Sequence, residues 1–270
     1  MHVIELKDTC SPETEAYFHL TDAQMRSRQE PEKGIFIAEG PKVVGTALDN
    51  GYRPLSLLIR RKFIETAQGQ DLIMRAGDVP VYTADDETLA AITGFRLQRS
   101  WILSAMHRPP ARLPADIITS ARRIAVLEGI TEPSNLGAIF RSAAALGTDG
   151  ILLSPTCCDP FHRRAVRVCM GSLFVVPWAR TDADLAIPLL KAEGFACIGL
   201  ALKPDSLTLD DPALLSHERI ALFLGTEDTG LSDATLAELD ASAIIPMKQG
   251  IDSLNVAAAA AIAFWQFRHA

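Results

Sequence analysis

The sequence predicts an α/β protein in two parts: a small N-terminal α/β domain, then a larger domain built on a parallel sheet covered by helices on both faces. Three observations carry this expectation. From residue 124 onward, short apolar runs alternate with helix-length segments, the pattern of strands buried between two helical layers. The stretch HRPPARLP at 107–114 holds three prolines, which block both a helix and a central strand and mark a boundary. Hydrophobic residues make up 48% of the 270, enough to bury a sizeable core. The divisions that follow are 1–108, a linker over 109–120, and 121–270.

The first part opens with a polar region, followed by the apolar GIFIAEG at 34–40. A helix is expected over 41–50, with Gly51 as its C-terminal stop. Strands are expected over 56–59, 79–82 and 101–105, and a helix over 85–92. In the second part the strand candidates are 124–127, 150–153, 174–176, 196–200, 220–224 and 243–245, with helices between them. Ligands of such sheets bind beyond the carboxyl ends of the strands, which directs attention to the segments after Leu127, Leu224 and Ile245.

Composition excludes several classes. A net charge of −7 argues against a protein that coats nucleic acid non-specifically, while leaving room for local basic clusters. Those clusters are Arg60-Arg61-Lys62, Arg96 with Arg99, and Arg163-Arg164 with Arg167, each of which is more often a solvated face than a phosphate contact. No run of eighteen apolar residues is present, so no membrane span is expected. The N-terminus lacks a basic stretch followed by an apolar one, so no secretory leader is expected. The five cysteines are odd in number and follow no CxxC spacing, and Cys157-Cys158 are adjacent, which suits reduced structural thiols in the cytoplasm.

The segment IPMKQGIDSLN at 245–255 is the most informative of the chain. An apolar strand leads through Pro246 into a polar loop that delivers Ser253 and Asn255 to a helix over 256–267 with no charged side chain. Polar groups set between apolar elements are costly unless they find partners. After Leu127 comes EGITEPSNLGAIFR, in which Pro133 and Ser134 mark a helix start and Gly147 its end. Asn135 sits at the mouth of that helix and Arg141 well inside it; a plain helix cap and a surface ion pair are the simple alternatives for these two. After Leu224 comes GTEDTGLS, which imitates a phosphate loop but carries Leu231 where the lysine would stand, so an ATPase is excluded. Its glycines let the backbone pass close to a neighbour that Glu227 faces, with Ser232 and Asp233 capping the next helix. The three loops contain no histidine or cysteine, so neither a metal site nor a Ser-His-Asp set is expected, and Arg141 is their strong cation.

Together these loops resemble the three motifs of the SpoU/TrmH-type RNA ribose 2'-O-methyltransferases of the SPOUT superfamily. The first motif is Asn135 with Arg141 and Gly147, the second Leu224-Gly225-Thr226-Glu227 with Gly230-Leu231-Ser232, and the third Ile245-Pro246-Met247 with Ser253-Leu254-Asn255-Val256. Arg164 to Ser172, with Pro177, resembles the family's middle section, and Phe36–Gly40 with Ala47-Leu48 its appended RNA-binding domain, which is similar to a ribosomal protein. Thr226 departs from the asparagine or alanine of many relatives, a change tolerated if the position acts through its backbone.

The resemblance implies a trefoil-knotted C-terminal domain, a fold that composition would not suggest. It implies S-adenosylmethionine bound by Gly225, Ile245, Met247 and Leu254, mostly through backbone atoms, and a homodimer with the active site near the interface. It assigns catalysis to Asn135, Arg141, Glu227, Ser253 and Asn255. Arg141 grips the RNA phosphate and ribose hydroxyl as the proton leaves, since arginine stays protonated in proteins. Glu227 and Ser253 orient Arg141 or the ribose; Asn135 and Asn255 fix loop geometry and contact the substrate. An RNA-binding module without activity and a base-modifying SPOUT methyltransferase stand as alternatives. Ribosomal and transfer RNA are both open as substrates. The near balance of fourteen basic and fifteen acidic residues over 1–115 points to reading of RNA shape rather than a broad electrostatic sink.

Overall fold

The computed structural model describes residues 3–6, 12–18, 34–96, 102–226, 228–248 and 253–268. It divides into two compact units, residues 1–110 with 161–174, and 111–160 with 175–270. In chain order the first elements are β1 (Val3–Glu5), β2 (Ile35–Glu39), α1 (Pro41–Asp49), β3 (Pro54–Arg60), α2 (Arg61–Ile64), α3 (Ala67–Ala76), β4 (Val81–Ala84), α4 (Asp86–Thr93) and β5 (Ile102–His107). Then come α5 (Pro114–Ile118), β6 (Arg123–Leu127), α6 (Pro133–Leu146), β7 (Gly150–Leu153), α7 (Arg163–Val168), β8 (Trp178–Arg180), α8 (Ala183–Ala192) and β9 (Ala196–Leu200). The last are β10 (Leu207–Thr208), α9 (Pro212–Leu215), β11 (Ile220–Leu224), α10 (Asp233–Glu238), β12 (Ala241–Ile244) and α11 (Val256–Gln266).

The first unit holds a mixed sheet in the order β1-β4-β3-β5-β2, parallel across β1, β4 and β3 and antiparallel on to β5 and β2. Its α4 begins where Asp85 accepts from the Thr88 amide at 2.7 Å. Tyr17 is buried outright, and its hydroxyl meets the Ser56 carbonyl at 2.9 Å and the Ala105 amide at 3.0 Å. Burial from water pushes that phenol well above its usual range. Residues 161–174 belong to this unit because their side chains complete its core. The Phe161 and Phe174 rings pack against Phe36 and Tyr52, with Phe36 to Phe161 at 4.6 Å between centroids. Arg163, almost fully buried, forms an ion pair with the equally buried Glu39 at 3.0 Å and stacks over Phe95.

This corrects the expected strand over 174–176. Phe174 instead ends a short 3-10 turn, Ser172–Phe174, held in the aromatic cluster, and the strand forms one step later at Trp178–Arg180. Pro177 lacks the amide a ladder needs, but its carbonyl accepts from Ile151 at 2.9 Å and starts the pairing.

In the second unit seven parallel strands run in the order β10-β12-β9-β11-β6-β7-β8. On one face Ile124, Val126, Leu152, Cys197, Ala221 and Phe223 pack with Ile117 and Ile118 of α5, Ala186, Ile187 and Leu190 of α8, and Leu231 and Leu236 at α10. The alternating residues Ala125, Leu127, Leu222 and Leu224 are equally buried on the other face, where α11 lies against α6 and β11. The prolines at 109 and 110 stand outside regular structure, and Pro114 opens α5 as its first residue.

Candidate active site

The order of the sheet decides which loops meet. β9 lies between β11 and β12, so the carboxyl ends of these three strands are neighbours. Beyond them opens a cavity of about 640 Å³, in the range of small-molecule sites. Gly225, Ile245, Met247 and Leu254 all line it, as do Ser253 and Asn255. A further wall is the end of β9 and the loop after it, Leu200 to Lys203, a loop the sequence expectation does not include. That strand was recognised, and the rule that ligands sit past the carboxyl ends applies to it as well. The loop after Leu127 takes no part in the lining: β6 is on the far side of β11.

Gly225 is required by its neighbours. A Cβ there would stand 2.1 Å from the Gly230 carbonyl carbon and 2.3 Å from the Leu231 nitrogen. The chain folds back at this point because Thr226 and Gly230 exchange backbone hydrogen bonds of 3.0 and 3.1 Å. Thr226 contributes more than backbone, since its Oγ1 accepts from the Thr229 amide at 3.0 Å and pins the turn. Ser232 then caps α10 by accepting from the Thr235 amide. Glu227 lies outside the described residues.

Asn255 is the cap of α11. Its Oδ1 accepts from the amides of Ala257 and Ala258 at 3.0 and 3.4 Å, and its Nδ2 donates to Asn135 Oδ1 at 3.0 Å. One side chain thus starts the last helix and ties it to the first residues of α6. Asn135 itself is not the cap of α6; Glu132 is, accepting from the Ser134 amide at 3.2 Å. Arg141 is exposed on the third turn of α6, makes no hydrogen bond or ion pair among the described residues, and stands outside the cavity lining.

The cavity combines an apolar rim, Leu202, Ile245, Met247 and Leu254, with the polar Lys203, Asp228 and Ser253. Such a mixed lining suits a ligand with both an apolar part and polar or charged groups. Among the described residues no cluster of His, Cys, Asp or Glu could hold a metal ion, and no helix is long and apolar enough to cross a membrane.

The basic clusters fare differently in the first unit. Arg60 pairs with Asp86, and Arg61 with Glu5. Arg163 is consumed by Glu39, whereas Arg164 and Arg167 are exposed. Arg96 is exposed as well, and Arg99 lies outside the described residues.

Residues 122–265 match the model of the SpoU rRNA methylase family. An uncharacterised tRNA/rRNA methyltransferase of Mycobacterium bovis is 37% identical over 97% of this chain and 92% of its own length. The 23S rRNA (guanosine(2553)-2'-O)-methyltransferase RlmP of Bacillus subtilis is 28% identical over 89% of this chain and 91% of its own. Among solved structures, an AdoMet-bound rRNA methyltransferase from Sinorhizobium meliloti superposes with a TM-score of 0.83 at 28% identity, covering 98% of this chain and 97% of that one. The family model covers more than half of the chain, and the relatives and solved structure extend the likeness over nearly all of it: this chain belongs to the SpoU rRNA methylase family.

Proposed function

We infer that this protein transfers a methyl group from S-adenosylmethionine to a ribose 2'-hydroxyl of ribosomal or transfer RNA. The observation that carries this reading is the cavity at the ends of β9, β11 and β12, on which the residues of two family motifs converge. The names of the relatives, and the AdoMet held by the Sinorhizobium structure, support the choice of substrate and cofactor.

Gly225, Ile245, Met247 and Leu254 would hold the cofactor, with Leu202 and Leu254 against its apolar part. When bound, S-adenosylmethionine supplies a methyl already activated for attack. What the chain adds is position. The work of Arg141 is to hold phosphate and hydroxyl by charge-assisted hydrogen bonds, as arginine guanidinium groups do in proteins. Ser253, on the cavity wall, orients the ribose. Asn255 has its oxygen committed to α11 and its amide to Asn135, so it acts through loop position more than through the RNA. Glu227 keeps the orienting role that the motif assigns to it.

Three further features belong to the same proposal. Arg141 stands apart from the cavity, and Ile262 and Trp265 of the charge-free α11 are exposed, which supports a homodimer that brings one protomer's arginine to its partner's site. The chain's return from β12, near one edge, to α11 beside α6 supports the trefoil knot. The first unit docks the RNA, in a cytoplasmic setting that keeps the thiols reduced.

The test is tritiated methyl transfer to total RNA from a strain lacking the gene, with nucleotide mapping of the product. Arg141→Ala is expected to lower turnover about a hundredfold or more. Near-normal turnover with intact folding sinks the assignment, and a methylated base in place of a ribose overturns the reaction class. Failure to bind S-adenosylmethionine by calorimetry would point to a binding module instead. Sedimentation equilibrium showing only monomer removes the dimer.

A further inference from the structure

Three consecutive amides leave β6, and each is held by a different neighbour. Glu128 donates to the Leu224 carbonyl at 2.9 Å. Gly129 donates to Ser154 Oγ at 2.9 Å, and Ile130 to Cys157 Sγ at 3.3 Å. The return bonds are as regular: Ser154 N donates to Leu127 O at 2.9 Å, Cys157 Sγ to the same carbonyl at 3.2 Å, and Cys158 N to Ile130 O at 2.8 Å. Gly129, at φ 69°, would carry a Cβ only 2.6 Å from the Thr226 methyl, so this loop is clamped between the second motif and residues 154–157. Ser154, Cys157, Gly129 and Ile130 are all buried.

The clamp is itself tied down. Arg180, at the end of β8, spreads its guanidinium over four carbonyls, those of Ser154 at 3.2 Å, Pro155 at 3.4 Å, Cys157 at 3.3 Å and Cys158 at 3.1 Å. No family motif named above includes Ser154, Cys157 or Arg180, and none of the three lines the cavity.

We propose that Ser154 and Cys157 are positioning residues for methyl transfer, held by Arg180, and that they fix the loop from which the helix bearing Asn135 and Arg141 starts. The helix begins at Pro133, three residues beyond Ile130, so a shift of the clamped loop moves its first turn. Displacement of about 1 Å at a reacting group can cost a hundredfold in rate. Cys157 acts as a donor to one backbone group and an acceptor from another, so the reduced thiol is the working form. The proposal rests on the functional reading above.

The test uses the full-length protein with Ser154→Ala, Cys157→Ala, Cys157→Ser and the exposed Arg180→Gln. Kinetics are read with total RNA from the strain lacking the gene, S-adenosylmethionine binding by calorimetry, and exchange of the 128–130 amides by hydrogen–deuterium measurements. Ser154→Ala and Cys157→Ala are expected to lower kcat about tenfold. Arg180→Gln, which only loosens the clamp and leaves the core untouched, lowers it about threefold. Affinity for S-adenosylmethionine stays within about twofold of the parent, because none of the substituted residues lines the cavity. Cys157→Ser, which can still donate and accept, recovers most of kcat. The Gly129 and Ile130 amides exchange faster in the alanine variants while those of β6 do not. Unchanged kcat and unchanged exchange in a folded variant overturn the proposal, as does a rise in KM alone. If Ser154→Ala and Cys157→Ala fail to fold, Arg180→Gln decides by the same readouts. If the parent protein methylates no RNA, the functional reading fails, and the exchange data still judge the clamp.

Discussion

Asn255 performs two tasks with one side chain, and a double-mutant cycle separates them. Asn255→Ala removes the cap of α11, worth ~1 kcal/mol in typical helices, and the 3.0 Å bond to Asn135. That bond joins an exposed amide to a half-buried one, so its net worth is about 0.5–1 kcal/mol. Asn135→Ala removes the bond and leaves the cap of α11 in place. The single variants should therefore lose about 1.5–2 and about 0.5–1 kcal/mol, and the double variant should fall short of their sum by the bond's ~0.5–1 kcal/mol. Asn255→Asp keeps the cap, with added favour from the helix dipole, and should lose no more than Asn135→Ala. Urea unfolding at pH 7 reads all four, with the slope of the transition checked for constancy. A coupling energy indistinguishable from zero, or an Asn255→Ala variant no less stable than Asn135→Ala, refutes the bridge between the first and third motifs.

Gly225→Ala is expected to cost about 2–3 kcal/mol, because its methyl meets backbone atoms of Gly230 and Leu231 that have nowhere to go, and to abolish S-adenosylmethionine binding in calorimetry. A variant that melts and binds like the parent removes the close-approach argument. Burial pushes the thiols of Cys158 and Cys197 up to about 12. The folded state thus holds these protons more tightly than the unfolded chain, whose thiols titrate near ~8.5. Their contribution is intact below that pH and is lost as pH rises toward 12, so thermal stability should decline above about pH 8.5, and Cys158→Ala with Cys197→Ala should flatten the decline. An identical alkaline slope in the double variant counts against it. The same raised value makes Cys158 slow to react with iodoacetamide at pH 8 until the protein is unfolded.

Local order was legible wherever a single segment carries its own physics. The strands over 150–153, 196–200 and 220–224 occupy the residues expected of them, because runs of apolar residues must be buried on both faces. The helix ending at Gly147 and the cap at Ser232 follow from residues acting on their own neighbours, and the helix expected over 85–92 forms one residue later because Asp85 is its cap. The strand expected over 174–176 failed for the opposite reason. Its apolar character is real, but Phe174 spends it on Phe36 and Tyr52, more than a hundred residues away in the chain. The short β1 and β10 were missed because segments of three and two residues hold no period to read.

For the site, the sequence by itself determined the ingredients: which loops leave the strands, that the glycines after Leu224 let the backbone pass close to a neighbour, that Ser253 and Asn255 stand at the start of an uncharged helix, and, through the motifs, the family. Tertiary structure alone decided their arrangement. Because β9 lies between β11 and β12, the loop at 200–203 became a wall of the cavity, and the loop after Leu127 did not. Because Asn255 reaches Asn135 across 120 positions, the residue for which a plain helix cap was the simple alternative became a tie to the cap of α11. Strand order and side-chain pairing over such separations are set by the packing of the whole sheet, and no stretch of sequence contains that information locally.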